Sequence, residues 1–309
     1  MATEAAGRVP ASEGAAAPAR PVAAVPGGRI VRAGGPGGAR QAAHAVDNAL
    51  SWFALSAASA NVVMQLALLP VGHGVAKSKV DSGRIDKHPI KRLRTTLSYV
   101  VVAWHGTDEE RELLRKEVDR QHRQVHSGPG EKVRYNAFDR KLQLWVAACL
   151  YRGTEDVLTA LYGELGPDVL DALYAHASRL GTTLQVPEDM WPADRAAFEE
   201  YWKATVGELE MDGLTRAYLR RLVDLGFMPA PLSRVFGPFS RFVTLGFLPP
   251  EFRAELGLPW TPAQQARFDR FTRFAAALNR VMPRALRTFP WNLYLRDTRR
   301  RLHSGRAFV

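Results

Sequence analysis

The sequence predicts an all-α fold, and three observations carry that reading. Apolar residues recur at helical spacing from residue 45 onward, two capping boxes open such runs, and no pair of alternating segments offers a hairpin. At 309 residues, 46% apolar and 24% charged, the chain can bury one large core, which excludes a wholly disordered, collagenous or coiled-coil protein. Its one cysteine, Cys149, excludes an intramolecular disulfide and any thiolate-clustered zinc or iron–sulfur site. The balance of 42 Lys+Arg against 31 Asp+Glu, a net charge of +11, favours acidic partners: nucleic acid, lipid headgroups or cofactor carboxylates.

Residues 1–44 are nearly all Ala, Gly, Pro, Arg and Val, with no aromatic residue and no apolar period. Such a segment buries too little to offset its ordering entropy, so a disordered tail is expected there, with one helical domain over 45–309. The tail has no continuous apolar run behind a basic start, so a secretory leader is not expected and the cytoplasm is the default location.

The stretch from Trp52 to Leu69 is apolar but carries Asn61 and Gln65, and it is shorter than the roughly 20 residues of a membrane span; a buried helix is predicted. Gly72 and Gly74 mark a turn over Val71–Val75, and a polar loop runs on to His88. Pro89 suits the first turn of a helix through Arg92, Thr96 and Tyr99. Tyr99-Val100-Val101-Val102 alone would read as a strand, but nothing nearby offers it a partner. The capping box Thr107-Asp108-Glu109-Glu110 opens a helix to about His126, stopped by Ser127-Gly128-Pro129-Gly130. A helix over Phe138–Tyr151 places Phe138, Leu142, Trp145 and Cys149 on one face, and others are expected near 154–165, 167–181, 193–206 and 212–225. Five prolines in Phe227–Pro250 predict loops and short helices. The second capping box, Thr261-Pro262-Ala263-Gln264, opens a helix through Phe268, Phe271 and Phe274 that ends before Pro283.

Three constellations could carry chemistry. His122 and His126 are spaced i and i+4, as in helical zinc sites, but Arg123 stands where the zincin pattern needs Glu. His122 borders the apolar stripe of Leu114, Val118 and Val125, and His126 lies about 40° further out. From spacing alone, His122 is a satisfied core histidine or a metal or haem ligand, and His126 a dipole partner or a surface residue. Arg92 and Thr96 share a helix face that suits a carboxylate, a propionate or a phosphate; Lys91 and Arg94 compete for the same role, and a surface ion pair is the plainer alternative. The basic C-terminus, Arg296 to Arg301 with His303 and Arg306, is the place for peripheral contact with anionic lipid or nucleic acid, or a solvated helix end. No phosphate loop, Walker motif, Ser-His-Asp signature or RNP pattern occurs, and nucleic acid is not the expected partner.

Taken in order, several segments resemble one family. They are Val71-Gly72-His73-Gly74-Val75-Ala76, the Pro-x-x-Arg-x-x-x-Thr helix of Pro89, Arg92 and Thr96, and the His-x-x-Val-x-x-Gly segment from His122 to Gly128. Tyr135-Asn136-Ala137-Phe138-Asp139 with Leu144-Trp145-Val146, Leu256-Gly257-Leu258-Pro259-Trp260, and Tyr294-Leu295-Arg296-Asp297 after Asn292 complete the set. Over roughly residues 50–303 the chain is similar to the latex-clearing rubber oxygenases and MpaB-like oxygenases.

The resemblance implies a globin-like helical core holding one haem b, with His122 as proximal iron ligand and Arg92 and Thr96 in the cofactor pocket, where they also serve catalysis. A single histidine ligand leaves the opposite position open for O2. Trp52, Tyr99, Phe138 and Trp145 would furnish a water-excluding interior, with Trp145 against the cofactor. Rubber-cleaving members carry an acid near the glycine-valine turn, where this chain has Ala76-Lys77-Ser78-Lys79, and a lysine before the motif threonine, where it has Thr95. The expected activity is therefore oxidation of an apolar, unsaturated small molecule with O2, polyisoprene excepted. His73, beside the turn glycines, is either a second polar group near the iron or a surface residue. Two rival readings use the same residues: a haem-binding or peroxidase-like protein without oxygenase activity, and a cofactor-free basic interaction protein.

Overall fold

A computed structural model describes residues 36–78 and 88–304. The all-α prediction holds: no strand occurs among the described residues, and the one isolated bridge joins His126 to Asn136. Helix α1, Pro36–Asp47, begins inside the segment expected to be tail; it is alanine-rich, packs on α7 (Pro167–Ala177) and buries Ala42, so the helical body starts earlier than periodicity indicates. Residues 1–35 of the expected tail, and most of the polar loop before His88, lie outside the described residues.

The apolar stretch after Trp52 is broken into a short 3-10 turn, Trp52–Ala57, then α2, Ala58–Ala67, and α3, Leu69–Ala76. Ala60, Val63, Met64 and Leu66 of α2 are core residues, as expected of a buried helix. No single helix among the described residues is long and apolar enough to cross a membrane. The expected turn at Val71–Val75 is instead part of α3. Gly72 serves close packing there: a Cβ on it would lie 2.6 Å from the Leu66 carbonyl oxygen and 2.8 Å from Thr215 Cγ2.

Helix α4, Pro89–His105, starts at Pro89 as predicted, and its Val100–Trp104 stretch is buried. Helix α5, Asp108–His122, opens on the capping box, whose two reciprocal bonds are both formed by Thr107 and Glu110, but it ends at His122 and not near His126. Helix α6, Arg140–Tyr162, fuses two predicted helices. Leu144, Trp145, Ala148, Val157, Leu158 and Leu161 extend one buried stripe across Gly153, and tertiary burial outweighs the glycine's helix cost of about 1 kcal/mol. After α7 come α8 (Arg179–Thr182), α9 (Arg195–Gly207) and α10 (Gly213–Val223).

The proline-rich stretch is the clearest departure. It forms α11, Ala230–Phe247, with Pro229 at its N-cap, Pro231 in its first turn and Pro238 inside. Proline is tolerated in a first turn, and the buried Val243, Leu245 and Phe247 hold the remainder. Then follow α12 (Pro250–Leu256), α13 (Pro262–Val281, with its capping box), α14 (Arg284–Arg287) and α15 (Trp291–His303). Helix α15 packs along α4, and its Arg299 pairs at 2.7 Å with the buried Glu110 of α5. Arg301 pairs with Asp297 at 2.8 Å. Part of the basic C-terminus is thus engaged within the fold.

Candidate cofactor cavity

Helices α2, α3, α4, α5 and α6 enclose a cavity of about 250 Å³. Its walls are largely apolar: Leu66, Val71 and Val75, Val100, Val118, Leu142, Val146 and Leu150. The polar groups on it include Arg92, Thr95 and Thr96 from α4, Glu117, Gln121 and His122 from α5, and Gln143 from α6. The chain between α5 and α6 closes one side with Tyr135, Asn136 and Ala137. Gly74 lets that segment approach, because a Cβ there would sit 3.3 Å from the Tyr135 ring.

His122 is the last residue of α5, and how that helix ends separates the two histidines. The Gln124 and Val125 amides turn back to the Gln121 and His122 carbonyls, and Ala137 then donates to the Val125 carbonyl at 2.9 Å. The chain leaves the helix into a short bridge. His126 is carried to the exposed surface, so the i, i+4 pair does not form one site. His122 stays at the cavity. Its Nδ1 is buried and has no hydrogen-bond partner, and its ring stands edge-on to Phe138. Burial first, and the Arg92 charge second, push its pKa down to about 4 against a smaller opposing pull from Asp119. The imidazole is neutral at pH 7, with an unshared nitrogen pair, as a metal ligand must be.

Arg92 faces the same cavity. Burial lowers its pKa, Tyr218 acts in the opposite direction, and no carboxylate pairs with it among the described residues. A guanidinium in such a place calls for an anion. The Thr96 hydroxyl donates to the Arg92 carbonyl at 3.0 Å and the Thr95 hydroxyl to the Lys91 carbonyl at 2.9 Å, so both keep only acceptor capacity toward the cavity. Neither Lys91 nor Arg94 lines it.

Trp145, expected against the cofactor, is a core residue instead. Its ring stacks on Trp202 at 5.1 Å and its indole donates to the Gln65 carbonyl at 3.1 Å, which places it behind the wall that Gln65 forms. Trp52 likewise lies off the cavity, donating to Asn279 Oδ1 at 3.2 Å. Tyr99 is on the wall, its hydroxyl tied to the Leu180 carbonyl at 2.6 Å, and burial pushes its pKa up. His73 is neither a surface residue nor a second group at the cavity: it is buried, with Nε2 2.6 Å from Oδ2 of Asp212, the N-cap of α10. Lys77 turns outward to Glu131 at 2.6 Å.

Sequence reasoning missed the supports of His122. Gln143 donates to the Ala137 carbonyl at 2.7 Å and to Gln185 Oε1 at 2.5 Å, and receives the Gln185 amide at 2.9 Å. Gln185 in turn donates to Asp119 Oδ1, one turn before His122. The network ties α5, α6 and the closing segment together. A glutamine inside the apolar run of α6, between Leu142 and Leu144, was the available signal. Glu117, on the wall and ion-paired with Arg120, was also missed.

No cluster of three or more His, Cys, Asp or Glu side chains suited to a bare metal ion occurs among the described residues. An iron carried in a macrocycle needs one protein ligand only.

Comparison with known proteins gives three results. Residues 47–277 match the family described as ER-bound oxygenase mpaB/B'/rubber oxygenase, catalytic domain. The chain is also 51% identical, over 251 residues, to the uncharacterized protein Mb2261 of Mycobacterium bovis and equally to the uncharacterized protein Rv2237 of Mycobacterium tuberculosis. Each alignment covers 81% of this chain and 98% of the relative. No solved structure gives a significant match.

Proposed function

The chain belongs to the mpaB/rubber oxygenase catalytic-domain family, a family of oxygenases, and from that premise we propose a haem b-dependent oxygenase acting on an apolar, unsaturated small molecule. One observation carries the reading. A half-buried neutral imidazole with a buried, unpartnered Nδ1 and a half-buried guanidinium without a carboxylate among the described residues face one apolar cavity. These are the two protein groups that a haem asks for: a nitrogen for the iron and a cation for the propionates.

Bound haem supplies a redox-active iron for O2 chemistry. In this reading His122 is the iron ligand, and the Gln143–Gln185–Asp119 network fixes the helix end that carries it. Arg92 holds a propionate. Val71, Val118, Leu142 and Val146 exclude water and accept the apolar substrate. A volume of about 250 Å³ lies under the roughly 300–1,000 Å³ of common small-molecule sites, so a macrocycle held by His122 and Arg92 would require these walls to spread.

The test is a visible spectrum of the purified protein after addition of haemin, followed by O2 uptake by the reduced protein with and without small alkenes. A Soret band at one haem per chain with alkene-dependent O2 uptake is the expected result. No stoichiometric haem binding removes the proposal; haem binding without O2 reactivity leaves a haem-binding protein.

A further inference from the structure

The face formed by α11 and α13 is apolar, exposed and bordered by arginine. On α11, Leu232, Val235, Phe236 and Phe239 share one side at helical spacing and are all exposed, Val235 at 68%. On α13, Phe274, Leu278 and Val281 do the same, at 69%, 38% and 79%. Ring contacts show that the two helices run antiparallel: Phe247 meets Phe268 at 5.1 Å, and Phe239 meets Phe271 at 5.9 Å. Continued in the same sense, they set the α11 stripe beside the α13 stripe; Leu286 of α14 and Phe289, next in the chain, are exposed too.

The acid packed against α11, Asp224, is paired with Arg241. No Asp or Glu occurs from 225 to 250 or from 270 to 296. Arg270 lies one turn before Phe274 on the same side of α13, Arg273 and Arg280 flank the stripe, and Arg284 follows on α14. All four are exposed, and none pairs with a carboxylate among the described residues. Two copies meeting through this face would bring like charges together. Protruding phenylalanines with arginines at their flank fit a surface that is apolar below and anionic above, where arginine stems lie along the apolar region and their heads reach phosphate. We infer that this face docks the protein on anionic lipid. The site is distinct from the basic C-terminus and independent of the haem reading.

The test sediments the full chain with vesicles of phosphatidylcholine alone or mixed with phosphatidylglycerol, at low and high salt. Partition onto mixed vesicles should exceed that onto phosphatidylcholine by about tenfold or more at low salt and fall at high salt. The double variants Phe236→Ser/Phe274→Ser and Arg273→Glu/Arg280→Glu should each lose about tenfold or more, with unchanged circular dichroism. Arg296→Glu/Arg300→Glu, on α15, should stay within about twofold of the parent. Absence of partition, or loss in the α15 variant alone, overturns the assignment. Binding of polyglutamate but not vesicles, abolished by the same face variants, would reassign the face to an acidic protein; a concentration-dependent dimer lost in the phenylalanine variant would reassign it to self-association.

Discussion

The rings of His122 and Phe138 meet edge to face, with centroids 6.2 Å apart and planes at 87°. The main chain of Phe138 is anchored just before the N-cap of α6, where its amide donates to Asn136 Oδ1 at 2.9 Å. The contact orients an imidazole whose Nδ1 has no partner of its own. A buried unpaired nitrogen is costly unless something else engages it.

His122→Ala should therefore abolish stoichiometric haem binding, while His126→Ala, altering an exposed residue past the helix end, should preserve it. The measurement is a haemin titration followed at the Soret band. Equal binding by both variants would show that another group holds the iron.

Arg92→Ala should weaken haem retention and Arg94→Ala should not, since only Arg92 reaches the cavity. A charge-assisted contact is worth about 1.5–3 kcal/mol, or roughly 10- to 100-fold in the rate of haem loss to an apomyoglobin trap. Similar loss from both variants would point to general positive charge.

The sequence resolves the features whose cause is local. Thr107 and Thr261 cap helices where their boxes predict, and Pro89 starts one. It fails where tertiary packing decides. Pro238 sits inside α11 and Gly72 inside α3 because buried neighbours compensate for poor propensity. The site follows the same division. Arg92, Thr96 and His122 line one cavity; spacing placed Arg92 and Thr96 on one helix face but could not show that His122 joins them, that α5 ends at His122, or that Trp145 turns toward Trp202. The Gln143–Gln185–Asp119 chain joins segments far apart in sequence, which no local pattern encodes.

The depressed His122 pKa fixes a direction for the apoprotein's acid stability. An unfolded histidine takes up a proton near 6.5, the folded one only near about 4. Between these values the unfolded state binds more protons, so the contribution is whole above pH 6.5 and fades as pH falls toward 4. Urea unfolding across that interval should show a shallower loss of stability for His122→Gln than for the parent. Superimposable profiles would mean that His122 titrates normally in the folded chain.

Two glycines of α3 should behave differently on substitution. Gly72→Ala forces a methyl group to 2.6 Å from a backbone oxygen and should cost about 1–3 kcal/mol, read as a lower melting temperature. Gly74→Ala meets only the Tyr135 ring, at 3.3 Å, and a ring at the cavity edge can shift. That variant should fold nearly as well as the parent but change its haem affinity, since Tyr135 lines the cavity. If Gly74→Ala unfolds the chain, the segment between α5 and α6 is more rigidly packed than its contacts imply.

Wall chemistry bears on the reaction. By the resemblance, Lys77, which pairs with Glu131, stands in place of the rubber oxygenases' distal acid, and Thr95, whose hydroxyl is tied to its own helix, in place of their lysine. Glu117 is an acid on the wall, but Arg120 neutralises it, and α5 brings it from another direction. Reduced, haem-loaded protein should consume O2 with small unsaturated apolar compounds and release carbonyl products, and polyisoprene should give little or none. Mass spectrometry of the products from both substrates decides the matter. Oligomeric aldehydes and ketones from polyisoprene at a rate matching that of the small alkene would show that neither the acid nor the lysine is needed for cleavage, and that the cavity opens to a polymer.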